Sequence, residues 1–380
     1  MLLGSSKMIK IKKIRTIVYR YPLDIAVKTS FGTMKDRPMI LVQIHDDLGN
    51  EGWGEIWCNF PNIGAEHRAK LVDSVISPLI LSKTYDDAKS VFDDLTKQTK
   101  VLGIQAGEYG PLAQCIAGID IAIHDLMGKR KGTPIWKMLG GITDSVPAYA
   151  SGINPTQAKE MGVKALSLGF NKLKLKIGFG NDLDLKNLSI LREIVGSEGS
   201  IMADVNQGWS IEIALERIGK LDQFNLDWLE EPILADRPVE EWKKLSDICS
   251  MPLAAGENIV GRNLFQSTIN EQIISVIQPD LAKWGGFTYC VPIAKDIIDA
   301  GLRYCPHYLG GGIGLIASAH ALAAVGGAGI LEIDINENPL RTNLLGELLN
   351  ISPGQAVLGN SPGLGLDPNL ESIEKYRVPH

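Results

Sequence analysis

The sequence predicts an α/β protein, a (β/α)7-8 TIM barrel preceded by an N-terminal α+β capping domain. Three observations carry that expectation. Between Asn171 and Glu332 a charged residue closes one short apolar run after another: Lys176 in KLKLKIG, Asp204 in IMADVN, Glu230 in LDWLEEP, Glu257 in PLAAGEN, Asp280 in SVIQPD, His307 in RYCPH and Glu332 in GILEID. From Lys176 onward the steps are 28, 26, 27, 23, 27 and 25 residues, about the length of a strand, a helix and two connections. One functional group at the C-terminal end of each successive strand is how such a barrel assembles a site. The runs themselves supply eight strand candidates, at 146–152, 172–177, 201–205, 226–230, 252–257, 275–280, 303–307 and 330–334, with amphipathic stretches such as PTQAKEMGVKALSLG and DLDLKNLSILREIVG between them. Ahead of the barrel, a set of strands followed by a set of helices is the pattern of an α+β unit.

Taken in order, residues 8–140 form the capping domain. Ile9 to Tyr19 alternates, MILVQIH (39–45) is a second strand, and DDLGNEGWGE turns into a third. Between the first two, Val27 to Arg37 is polar, contains Gly and has no periodicity, so it reads as a mobile loop of the kind that covers sites. AEHRAKLVDSVISPLIL, YDDAKSVFDDLTKQTKVLG and PLAQCIAGIDIAIHDLMGKRKG then carry helical spacing up to Gly140-Gly141. Residues 141–352 form the barrel domain, and the Gly- and Pro-rich segment 353–380 is expected to return over the capping domain. Residues 1–7 are left outside this scheme, with Met8 a candidate natural start.

Composition narrows the function classes. A charged fraction of 22% and a net charge of −6 spread along the chain argue against nucleic acid as partner. No run of 18 or more apolar residues indicates a membrane span. Five cysteines without CxxC spacing are expected to be reduced thiols in a cytoplasmic setting. Cys305, two residues before His307, falls inside a buried-strand pattern and is not expected to be a nucleophile. His45, His67, His124, His320 and His380 are assigned no role.

The chemistry follows from the residue types. Lys172, Lys174 and Lys176 alternate with apolar residues and share one strand face. On an edge strand that face would be solvated; in a closed barrel its upper end projects into the mouth. Asp204, Glu230 and Glu257 would singly suit helix caps or loops, but together they converge on neighbouring strands. At an effective dielectric near 20, two unpaired carboxylates about 4 Å apart repel by roughly 4 kcal/mol, so the cluster calls for a cation. Oxygen-only ligation favours Mg²⁺, with Mn²⁺ the alternative. Asp280 accepting one ring N–H of His307 leaves the other nitrogen free as a base. Lysine on one side and histidine on the other suit removal of a proton next to a carboxylate, through an enediolate.

At these residues the sequence resembles the enolase superfamily, specifically its mandelate racemase subgroup. The motifs KLKIG, DVNQGW, LEEP, GEN, QPDLAKWGG and PH occur in that order, after IDIAIHDLMGKRKGTPIWKMLGG, and the likeness covers nearly the whole chain. The resemblance implies that Lys176 and His307 are the acid/base pair, that Asp280 orients His307, and that Lys174 neutralises the substrate carboxylate. It further implies that Glu332 hydrogen-bonds that carboxylate and that Asp204, Glu230 and Glu257 bind Mg²⁺, with Asn206 and Lys283 in support. Relatives similar to muconate-lactonising enzymes carry lysine at the position of Asp280, so Asp280 decides the subgroup. The expected reaction is dehydration of a sugar acid to a 2-keto-3-deoxy acid; the alternatives are a racemase, epimerase or lactone cycloisomerase, and, from another class, a non-catalytic sugar-acid-binding barrel. A homo-oligomer, from dimer to octamer, is what relatives suggest. Substrate choice is expected to rest on the capping domain, with Lys28, Ser30, Arg37 and Asn59 as candidate contacts.

Overall fold

The computed structural model describes residues 8–28, 32–345 and 354–380. The first unit is an antiparallel sheet in the order β14-β1-β2-β3, with β4 also paired to β1: β1 (Ile9–Lys28), β2 (Thr33–Asp46), β3 (Glu51–Ile56), β4 (Thr84–Tyr85) and, from the far end of the chain, β14 (Arg377–Val378). Helices Ala88–Ala106 and Tyr109–Lys131 pack on it. The second helix lies unusually close to β3. A side-chain carbon on Gly52 or Gly54 would collide with the helix backbone at Ala122 or Gly118, so both strand positions need glycine.

The segment expected to be a mobile loop is largely strand. β1 runs on to Lys28 and β2 starts at Thr33, and the register pairs Lys28 with Thr33 and Val27 with Met34. The reason is local alternation, with buried Met34 between exposed Thr33 and Lys35; Arg37, in register with the exposed pair, is buried by its contact with Asp334. Ser30 lies outside the described residues.

The second unit is the barrel. Its parallel strands follow the chain as β5 (Ser145–Ile153), β6 (Lys172–Lys176), β7 (Ser200–Asp204), β8 (Trp228–Glu230), β9 (Leu253–Ala255), β10 (Val276–Ile277), β11 (Arg303–Tyr304) and β12 (Leu331–Asp334). They pair in the order β11-β10-β9-β8-β7-β6-β5-β12, and a helix follows each strand. All eight expected strands are present, several shorter than their apolar runs. β13 (Gln355–Val357) adds to β5 in antiparallel fashion.

Two layers of core explain how the barrel positions a site. Between strands and helices lies a continuous apolar shell that includes Leu173, Ile201, Leu229 and Leu253. Inside the barrel, Tyr149, Met202, Trp228, Ala254, Val276, Cys305 and Ile330 form a separate buried cluster. They plug the interior, so the charged residues one step further along each strand stand on a dry, rigid floor. Trp284 lies between Phe265 and Tyr289, with ring centroids 5.4 and 6.1 Å away, which makes it packing between the sixth strand's loop and its neighbouring helices.

Candidate active site

The C-terminal ends of the barrel strands carry a closed network of charge. On β6, Lys174 is 1% exposed, and its ammonium lies 2.6 Å from Glu230 Oε1 and 2.8 Å from Glu332 Oε1. Burial alone would lower its pKa, but the charges of Glu230 and Glu332 hold it well above the ordinary value. Lys176, two residues on, reaches Asp204 Oδ2 and Asn206 Oδ1, each at 2.6 Å. Asn206 is brought there by a backbone reversal: Asn206 and Gln207 both take positive φ, 48° and 61°, directly after β7.

Asp204, Glu230 and Glu257 follow on β7, on β8 and just beyond β9. Asp204 and Glu230 are register partners. Glu230 Oε2 accepts from Trp228 Nε1 at 2.9 Å and Gln278 Nε2 at 2.8 Å. Burial, with the nearby charge of Asp204, pushes the Glu230 carboxyl up to about 7 despite Lys174. Glu257 behaves oppositely. Burial favours its neutral form, but His307 and Lys283 hold it well below the usual carboxylate range. Behind this pair stands Glu231, 1% exposed and raised well above the usual range by burial and by the charge of Glu257. Asn258 Nδ2 bridges both oxygens of Glu231 and Oε1 of Glu257 at 2.9–3.0 Å, and its Oδ1 accepts from Lys283 Nζ at 2.9 Å.

On the opposite arc, Asp280 Oδ1 accepts the backbone N–H of Ala282 and Lys283, which fixes its rotamer, and Oδ2 accepts from His307 Nδ1 at 2.9 Å. His307 Nε2 lies 2.5 Å from Glu257 Oε2 and 3.8 Å from Glu332 Oε2. Burial would lower the imidazole pKa, but Glu257, Glu332 and the Asp280 bond together hold it well above its ordinary value. Glu332 completes the ring, accepting from Ser151 Oγ at 2.5 Å and from the Tyr308 N–H at 3.2 Å.

The structure therefore brings Lys174, Lys176, Asp204, Asn206, Glu230, Glu257, Asp280, Lys283, His307 and Glu332 into one contact network. Among the described residues, no three His, Cys, Asp or Glu side chains stand at metal-ligand spacing. Each of the three carboxylates expected to bind a cation is turned toward a protein cation: Asp204 to Lys176, Glu230 to Lys174 and Glu257 to His307. The donor set nonetheless fits a hard divalent ion, being oxygen-only, drawn from adjacent strands and mutually repulsive. Asn59 Nδ2 donates to the Leu309 carbonyl at 2.5 Å, which ties this side chain to the loop after His307. Arg37 pairs with Asp334 at 2.9 Å. Sequence reasoning missed Glu231, Asn258, Gln278 and Ser151 as members of the network. The first three adjoin named positions in LEEP, GEN and QPD, which was the available signal. Cys305 is buried, and burial pushes its thiol up to about 11, which suits an inert core residue.

Two family models match the chain: "Mandelate racemase / muconate lactonizing enzyme, N-terminal domain" over residues 12–140 and "Enolase C-terminal domain-like" over residues 157–373. Fold and site define an enolase-superfamily enzyme. The chain belongs to the mandelate racemase/muconate lactonizing enzyme family within it. A mandelate racemase/muconate lactonizing enzyme from Bordetella bronchiseptica RB50 is 46% identical, with a TM-score of 0.92, over 97% of this chain and 99% of that one. A racemase from Streptomyces coelicolor A3(2), solved with bound magnesium, is 25% identical with a TM-score of 0.85, over 97% of this chain and 100% of that one. Among relatives, the D-galactarolactone cycloisomerase of Agrobacterium fabrum is 28% identical over 97% of this chain and 99% of its own length. The arabinonate dehydratase of Saccharolobus solfataricus is 28% identical over 90% and 92%. The family's reactions seen here are thus dehydration, cycloisomerisation and racemisation. No helix among the described residues is long and apolar enough to cross a membrane.

Proposed function

We propose that this protein is a Mg²⁺-dependent sugar-acid dehydratase that removes the α-proton of a carboxylate substrate and expels the β-hydroxyl. The observation that carries the reading is the placement of two acid/base groups on opposite arcs of the barrel, Lys176 on β6 and the His307–Asp280 pair beyond β11, with the carboxylate cluster between them. Asp204, Glu230 and Glu257 would hold Mg²⁺, whose charge offsets the negative charge that builds on the substrate carboxylate as the proton leaves.

The remaining steps belong to the chain's own residues. Burial and the charge of Lys174 act to lower the Lys176 pKa, but Asp204 outweighs them and holds it above the ordinary value. Once the charge of Asp204 is committed to a cation, Lys176 moves toward the neutral amine that takes the α-proton. Lys174, held in place by Glu332, positions the substrate carboxylate, and Glu332 hydrogen-bonds that carboxylate once it carries a proton. His307, kept as a proton donor by Asp280 and Glu332, protonates the departing hydroxyl. Loss of water leaves an enol, which tautomerises to the 2-keto-3-deoxy acid. The same opposed pair would support racemisation or epimerisation if His307 returned a proton to Cα from the other face.

A library of mono- and diacid sugars, assayed for 2-keto product in deuterated water, tests the reading. Dehydration gives keto acid from at least one member. Deuterium in recovered substrate with no keto acid would instead establish 1,1-proton transfer. Lys176→Ala is expected to lower turnover by roughly 10²- to 10⁴-fold, and unchanged turnover would remove the lysine from the chemistry.

A further inference from the structure

Two residues beyond Glu332, on the same face of β12, stands Asp334. The strand rise places it about 6.6 Å further toward the capping domain. It is 3% exposed and bound from two sides: Arg37 Nη2 of β2 lies 2.9 Å from Oδ2, and Arg341 Nη1 of the following helix lies 3.4 Å from the same oxygen. Oδ1 accepts from the N–H and Nδ2 of Asn336, at 3.0 and 2.6 Å. Gly152 opposite, at φ 76°, makes the room: a side-chain carbon there would strike both Asp334 and Asn336.

The balance of charge and hydrogen bonds in this cluster is uneven. Two guanidiniums face one carboxylate, so the cluster carries one surplus positive charge. Both Asp334 oxygens are already saturated, and Arg341 spends its Nη2 on the Asn336 carbonyl at 2.8 Å. Arg37 is 4% exposed; among the described residues its Nη1 meets only the thioether of Met34 at 3.5 Å, and its Nε has no hydrogen-bond partner. A buried guanidinium donor without an acceptor destabilises the folded state unless a ligand supplies one. The missing acceptor is anionic, since a neutral hydroxyl would leave the surplus charge uncompensated.

We infer that Arg37, set against Asp334 and Arg341, forms a subsite for a second carboxylate at the far end of the substrate, so that the acid this protein prefers is a sugar diacid. The inference deepens the proposed function and rests on it for the position of the reacting carboxylate beside Lys174 and Glu332. The separation between Glu332 and Asp334 along β12 is comparable to the length of an extended five- or six-carbon diacid. Arg37 comes from the capping domain and the other groups from the barrel, so the distal carboxylate would be gripped across the junction of the two.

Binding, measured separately from turnover, tests the subsite. Calorimetric titration of five- and six-carbon aldarates, and of aldonates of the same chain length and configuration, into Mg²⁺-loaded wild type and Lys176→Ala is expected to give at least tenfold tighter binding for one diacid over its matched monoacid. In Arg37→Met that ratio falls by roughly 10- to 100-fold. Arg37→Lys, which keeps a charge on Asp334 and protects the fold, loses the planar donor and most of the ratio while melting close to wild type. A monoacid that binds as tightly as every matched diacid, or a diacid-to-monoacid ratio unchanged in both Arg37 variants, overturns the subsite. Tight diacid binding with neither keto product nor deuterium exchange would overturn the catalytic reading and leave the subsite standing.

Discussion

Glu257 shows how much of this site is decided one side chain at a time. It is half-buried between an imidazole and an amide, its Oε2 on His307 and its Oε1 on Asn258. Burial disfavours its charge, yet neighbouring cations hold it ionised. An ionised oxygen donor is what a divalent cation needs, so exchanging Glu257 for Gln should remove a ligand while keeping the volume. Mg²⁺ at a hundredfold its Kd stabilises the folded state by about 2.7 kcal/mol. Added MgCl₂ is therefore expected to raise the melting temperature of wild type reversibly with EDTA, and Glu257→Gln should lose most of that rise. An equal rise in the variant would take Glu257 out of the ligand set. At this scale the sequence was informative where a group ends a strand, because a period of about 26 residues is visible in the chain. It was silent where geometry sets a partner. Glu231 looks like a repeat of Glu230, but its positive φ of 41° turns it to Asn258. Ser151 sits in VPAYASG with nothing to mark that its hydroxyl reaches Glu332, 181 residues away.

At the scale of elements, β3 and the helix Tyr109–Lys131 are pressed together by glycines on both sides. Gly54 in the strand faces Gly118 in the helix, and a carbon added to Gly118 would in turn meet Ile56 and Glu55. Neither contact is readable from periodicity, since both glycines look like weak points in otherwise good elements. Gly54→Ala must separate strand and helix, and overpacking of this kind costs about 1–3 kcal/mol. The expected outcome is a lower melting temperature with a native far-ultraviolet spectrum; a variant as stable as wild type would mean that the packing here has slack. The consequence reaches the site, because the next residue, Glu55, accepts the N–H groups of Gly311 and Gly314 at the start of the helix after His307. The length of β1 and β2 was misread for a related reason. Polar residues at solvent-facing strand positions and an arginine at a buried one hide the alternation, and only the pairing of Arg37 with Asp334 explains why an arginine is there.

Across the whole molecule, three distant stretches meet at one neutral histidine. His320 lies inside the helix Gly312–Val325 of the barrel and is fully buried. Its Nδ1 accepts the N–H of Trp136, which precedes the barrel, and its Nε2–H donates to the carbonyl of Leu364 in the C-terminal segment. That arrangement needs one ring nitrogen bare, and burial lowers the pKa to about 4. In the unfolded chain the same imidazole takes up its proton near pH 6.5. Below that pH the unfolded state binds a proton that the folded state refuses. The stability contributed by the neutral ring is complete above about pH 6.5 and declines as pH falls toward 4, by up to about 3 kcal/mol. His320→Gln, which does not titrate, should lack this component whatever its stability at neutral pH. The difference in unfolding free energy between wild type and variant, followed by urea denaturation from pH 7.5 to 4.5, is expected to move in the variant's favour on the acid side. A difference that stays constant over that range would show that His320 is not the residue through which acid loosens the closure of the N-terminal segment, barrel and C-terminal segment.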